Sequence, residues 1–205
     1  MPYKRFDNLK DEKKKRIFEV ALEEFAENSF SLASINIISK KAKLSAGSLY
    51  YYFEDKQDLF YTLLNHTSQE FLNGIGEIDK LFEQYGYWNG IREIIKKRLD
   101  YEKNNPKVMQ LINRLLLTDD EIEQKGRNKL MAAFHMIFNY GYDNGFIRTD
   151  LPREYLFEVH FGLVMTTNQF MVRNIASHNQ SGNKAEEFLE KAMDIIQNAM
   201  SRKER

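Results

Sequence analysis

Apolar side chains return every three or four residues through most of the chain, and no alternating run persists. Ile17, Val20, Ala21 and Phe25 recur at helical spacing, with Phe18 and Leu22 beside them. This periodicity predicts a helix over residues 9–27, broken at Asn28-Ser29. A short second helix is expected from Ser34, whose hydroxyl suits an N-cap, because Ile35, Ile38 and Ala42 fall on one face. Leu44 follows as a buried plug in the turn. Ser45 caps a third helix of two or three turns. Asp55, with Asp58 three positions on, opens a fourth that runs to about residue 78. Residues 86–90 (GYWNG) are expected to turn. A helix over 91–103 then meets a stop at Asn104-Asn105-Pro106. Further helices are predicted over 107–117, 120–144, 153–176 and 184–202, with loops at Gly145 to Pro152 and at Ser177 to Asn183. The expected fold class is all-α with about nine helices. A small unit of short helices, residues 1–54, precedes a larger unit of longer ones, residues 55–205.

Composition sets limits. With 42% hydrophobic and 29% charged residues the chain carries enough apolar material for a real core. No run of about 18 apolar residues is present, so no membrane span is expected. The first residues, MPYKRFDNLKDEKKKR, lack an apolar stretch, so no secretory leader is expected. There is no cysteine, which excludes disulfides and thiolate metal sites and permits a reducing cytoplasm. Formal net charge is zero, but its distribution is uneven. Residues 1–16 hold seven Lys and Arg against three acids, residues 17–39 hold only acids, and Lys40, Lys41 and Lys43 follow. Such runs, taken alone, are usually solvated helix ends.

Two short helices joined by a tight turn form a helix-turn-helix, in which the second enters the DNA major groove with its N-terminal residues leading. Here that end is Ser45-Ala46-Gly47-Ser48, small and polar enough for close approach. Three tyrosines follow. Leu49 and Phe53 are four apart and should pack inward against Ile38 and Ala42. Tyr51 then projects away, flanked by Tyr50 and Tyr52. A phenol ring can meet a thymine methyl while its hydroxyl bonds a phosphate. An aromatic cluster by itself is more often the rim of a core with its tips in water. The flanking helix, the small residues and Lys56 together favour the nucleic-acid reading.

The stretch SINIISKKAKLSAGSLYYYFEDKQDLF, from Ser34 to Phe60, with the helix before it, resembles the DNA-binding domain of the tetracycline-repressor (TetR) family. The matching positions are Ser34, Ile38, Ala42, Leu44-Ser45, Gly47, Leu49-Tyr50, Tyr52-Phe53, Lys56 and Leu59, within about residues 10–60. The resemblance implies that Ser34 meets the DNA backbone, that Ser45, Ala46, Gly47, Ser48 and Tyr51 face bases, and that Tyr50, Tyr52 and Lys56 hold phosphates. Departures are Ser29 and Lys43, where the family often has Gly. Lys43 either adopts a left-handed backbone or adds a phosphate contact. The resemblance further implies a transcriptional repressor that binds a palindromic operator in double-stranded DNA as a homodimer. A small-molecule effector would release it.

Beyond residue 63 the resemblance fades and the apolar stripes are wide. Met109, Ile112, Phe134, Phe138, Phe161 and Met165 suit either ordinary packing or an adaptable apolar cavity. Arg114, His135, His160 and Asn168 could hydrogen-bond a ligand there, or be satisfied within the protein. Phe161, Val164, Met165, Phe188, Leu189, Ala192, Ile195, Ile196 and Ala199 can supply a dimer seam. No His-x-x-x-His spacing, Ser-His-Asp set or phosphate-binding glycine loop is found, so neither a metal, a cofactor nor an enzyme is expected. The rival reading is a helical small-molecule-binding module without operator binding.

Overall fold

The computed structural model describes residues 2–171 and 182–202. Among them run eleven helices: α1 (Lys4–Asp7), α2 (Asp11–Glu27), α3 (Ile35–Lys41), α4 (Ala46–Tyr52), α5 (Lys56–Ile75), α6 (Ile78–Tyr85), α7 (Tyr87–Asn104), α8 (Pro106–Leu116), α9 (Glu121–Asp143), α10 (Arg153–Phe170) and α11 (Gly182–Met200). The all-α class holds; the described residues add one isolated antiparallel bridge, Ile147 to Ser201. The end expected at residue 176 and most of the loop after it lie outside the described residues.

Packing groups residues 1–76 with 98–129 and residues 77–97 with 130–205. In the first unit α8 lies along α2, and α2 also packs on α3 and α5. Its core is built from Ile17, Phe25, Ile38, Leu49, Phe53, Leu59, Phe60, Leu63, Leu111 and Leu115, all buried. A polar knot sits beside this core. Glu123, 1% exposed, accepts the Phe30 N–H at 2.7 Å and the Thr118 hydroxyl at 2.6 Å. It lies 2.7 Å from the Arg114 guanidinium, which also donates to the Phe25 carbonyl. A buried carboxylate is tolerable because each oxygen finds a donor or a cation.

In the second unit α10 packs on α11. Tyr87 is fully buried, its ring parallel to Phe146 at 5.4 Å and tilted against Phe82 at 5.3 Å. A Cβ at Gly141 would lie 2.2 Å from Tyr87 Cζ, which explains a glycine inside a long helix. The fourth predicted helix stops at Ile75 rather than near residue 78, because Gly76 takes φ 87°. The expected turn over residues 86–90 shrinks to Gly86, and α7 begins at Tyr87.

Candidate nucleic-acid interface

The helix-turn-helix is α3 and α4. Ser34 caps α3 by accepting the Ile37 N–H at 3.5 Å, while its own N–H donates to Glu24 Oε1 at 3.0 Å. Ser45 caps α4, its Oγ accepting the Ser48 N–H at 3.1 Å. The turn between them runs through Lys43 at φ 57°, the one non-glycine residue with positive φ among the described residues. The Leu44 N–H then returns to the Ser39 carbonyl at 2.9 Å and closes the turn. Of the two expectations for Lys43, the left-handed backbone is present. Its side chain is also exposed, so the second is open to it.

Four residues clamp α4 from within: Ile38, Ala42, Leu49 and Phe53 are all buried. Ser45 and Gly47 are exposed, Ala46 and Ser48 half-buried, and Tyr50 and Tyr51 are 52% and 53% exposed. This surface offers small side chains, two phenols and the N–H groups of a helix start, all suited to phosphate oxygens and base edges. Lys43 and Lys40 stand exposed beside it. Lys41 is exposed too but bound to Glu23 at 2.9 Å, and that hydrogen bond raises its pKa.

Two expected phosphate contacts are engaged elsewhere. Tyr52 is only 9% exposed. Its ring meets Phe6 edge-on at 6.3 Å, and its hydroxyl accepts from Lys13 Nζ at 3.2 Å. Helical geometry places Tyr52 three positions after Leu49, on the buried side. Lys56 donates its ammonium to the Ala33 carbonyl at 2.9 Å and the Ser31 carbonyl at 3.3 Å, above the Phe30 ring. Its charge therefore holds the turn before α3.

Sequence reasoning passed over two features here. Ile37, 45% exposed on α3, presents an apolar side chain next to the buried Ile38. The segment before α2 is also ordered onto α4: Tyr3 N–H donates to the Tyr52 carbonyl at 3.0 Å, and Phe6 is buried. A lone phenylalanine within the basic run was the available signal for it.

The residues expected to line a ligand cavity fall in both packing units. Met109, Ile112 and Arg114 lie on α8 in the first. Met109 is buried, and Arg114 is bound to Glu123 and Phe25, so its charge is spent within the protein. Phe134, His135, Phe138, Phe161, Met165 and Asn168 belong to the second unit. There the His135 ring stacks on Phe157 at 3.7 Å, and Phe134 meets Phe161 edge-on at 5.4 Å. Phe138 and Asn168 are buried, whereas Phe161 and Met165 are partly open. His160 is buried against Phe138, and burial pushes its pKa down to about 4. Among the described residues no group of three His, Asp or Glu side chains is placed to hold a metal, and no helix is long and apolar enough to cross a membrane.

The family model for bacterial regulatory proteins of the tetR family matches residues 17–62, from α2 through the start of α5. The HTH-type transcriptional regulator QacR of Staphylococcus aureus is 28% identical over 155 residues, covering 67% of this chain and 73% of QacR. The uncharacterised HTH-type regulator YuxN of Bacillus subtilis is 40% identical over 55 residues, which span 27% of this chain and only 19% of YuxN. For the fold, a TetR-family regulator from Chloroflexus aurantiacus superposes with a TM-score of 0.69 at 24% identity, covering 99% of this chain and all of that one. Residues 17–62, matched by the family profile and folded as a capped helix-turn-helix, are a DNA-binding domain of the TetR family of transcriptional regulators, and the helices beyond them share the fold of such a regulator.

Proposed function

We propose that the protein is a repressor that acts in the cytoplasm, binds a palindromic operator as a homodimer, and is released by a small apolar or amphipathic molecule. The observation that carries this reading is the two-sidedness of α4. Leu49 and Phe53 fix its inner side, while Ser45, Gly47, Tyr50 and Tyr51 stand open to solvent. A recognition helix needs that division, because the groove can be read only by side chains the core does not consume. The DNA-facing set proposed is Ser34, Lys43, Ser45, Ala46, Gly47, Ser48, Tyr50 and Tyr51.

Homodimerisation is supported by α11. Ala192 and Ile196 are buried, but Ile195 is 63% exposed and Ala199 is also open, so an apolar strip is left facing outward. Two-fold pairing would set two recognition helices on half-sites about 34–36 Å apart. Release by an effector is supported by the partly open aromatic and methionine side chains of α9 and α10, a lining that adapts to apolar contents. A ligand that favours the non-binding conformation would shift the population toward it.

The test is selection of duplexes by the purified chain from a random pool, followed by native mass spectrometry. Enrichment of an inverted repeat, bound by two copies, is expected. Tyr51→Ala should lower preference for that repeat by about 1–3 kcal/mol. Failure to enrich any sequence would leave the rival reading, a ligand-binding module that no longer reads DNA.

A further inference from the structure

Arg5 is held in place before any DNA arrives. Its guanidinium carbon lies 4.1 Å from the centre of the Tyr51 ring and 4.4 Å from that of Tyr3. The residues around it are pinned. Tyr3 N–H is bonded to the Tyr52 carbonyl at 3.0 Å. Phe6 is buried, its ring 4.7 Å from Phe53 and 5.4 Å from Phe18. The arm before α2 is thus built onto the recognition helix. Arg5 itself is exposed and forms no ion pair among the described residues. Both rings meet it as cation–π contacts, and a guanidinium keeps five N–H donors in a planar fork.

We propose that Arg5 is a further DNA-contacting residue, a phosphate clamp on the N-terminal arm that also sets the tilt of Tyr51. The inference rests on the reading of α4 as the groove-entering helix. If Tyr51 meets base edges, a cation stacked on its ring stands at the rim of the same surface, where the nearest anions are backbone phosphates. A planar guanidinium suits two phosphate oxygens at once. Stacking restricts Arg5 in advance, so less side-chain freedom is lost on binding. The contact would displace a condensed counterion, which makes it visible in the salt dependence of binding.

The experiment uses the full chain and the duplex it enriches from a random pool, with a scrambled duplex as control. Affinity is measured by fluorescence anisotropy between roughly 50 and 200 mM salt. Arg5→Ala should weaken binding roughly tenfold at the lowest salt and reduce the slope of log K against log salt by about 0.9 for each protomer engaged. Its melting temperature should fall by no more than a few degrees, since the two cation–π contacts it loses are solvent-exposed. Arg5→Lys keeps the charge and hence the slope, but loses the planar stack. Its preference for the selected over the scrambled duplex should fall toward that of Tyr51→Ala. An unchanged slope in Arg5→Ala, with Tyr51→Ala still losing preference, overturns the clamp and leaves the recognition helix standing. If the wild-type chain enriches no duplex, the reading of α4 falls and the clamp falls with it.

Discussion

Lys43 occupies a backbone region that costs a side-chain-bearing residue about 1–2 kcal/mol, at φ 57° in the turn between α3 and α4. Glycine would remove that strain but loses about 0.5–1 kcal/mol to a freer unfolded chain. Lys43→Gly is therefore expected to gain about 0.5–1 kcal/mol in urea denaturation. The same variant tests the side chain's second role. If the ammonium meets a phosphate, the more stable protein binds DNA less tightly and with a shallower salt dependence. A gain in stability with unchanged DNA affinity would mean that the lysine is only tolerated there. Tyr52 and Lys56 carry a related lesson. Both stand at positions matching the family's phosphate contacts, yet one is turned into the Phe6 side of the domain and the other caps two carbonyls. Residue type at a motif position did not reveal which partner each side chain would find within its own fold.

Helix starts were legible wherever a side chain made the cap. Ser34, Ser45 and Asp55 each accept the N–H three residues on, as their sequence positions predict. Pro106 likewise marks the first turn of α8. Without a capping side chain, periodicity or a proline still marked α2 and α10, but two short helices went unread. Both α1 and α6 begin without a side-chain cap bond. The start of α7 was hidden inside Gly86 to Gly90, because Gly90 is required by the nearby Phe82 ring rather than by a turn. Tertiary polar links were hidden altogether. Arg114 read as a candidate ligand group, but it pairs with Glu123, joining α8 and the start of α9 to the segment between α2 and α3. Arg114→Met would strand a buried carboxylate and should cost about 3–5 kcal/mol, read as a lower urea midpoint at constant m. Glu123→Gln keeps the shape of the knot, and in the Arg114→Met background it removes the stranded charge. The double variant should therefore be more stable than Arg114→Met alone. A double variant that loses the sum of both single effects would show that the two side chains act independently.

At the level of the folded chain, apolar periodicity identified which face of each helix is buried but not which helix covers it. The residues assigned to one ligand cavity accordingly divide between two packing units. Trp88 is the only tryptophan and belongs to the second unit, 4.9 Å from the buried Tyr87 ring. His160 lies in that same unit, 5% exposed, its pKa lowered by burial from 6.5 to about 4. Below the unfolded value the denatured chain takes up a proton that the folded chain refuses until about pH 4. Stability from the neutral, buried ring is therefore complete above about pH 6.5. It is lost as pH falls toward 4, by at most about 1.4 kcal/mol per pH unit, with no further loss from this group below that. Other groups titrate over the same range, so the informative quantity is a difference between proteins. Denaturation followed by Trp88 emission should show wild type losing more stability between pH 7 and pH 4.5 than His160→Gln, by about 2–3 kcal/mol. The glutamine variant can be weaker at pH 7 without affecting this comparison, since only the change with pH is read. Parallel curves would place His160 in contact with solvent or with an acid that lets it charge in the folded state.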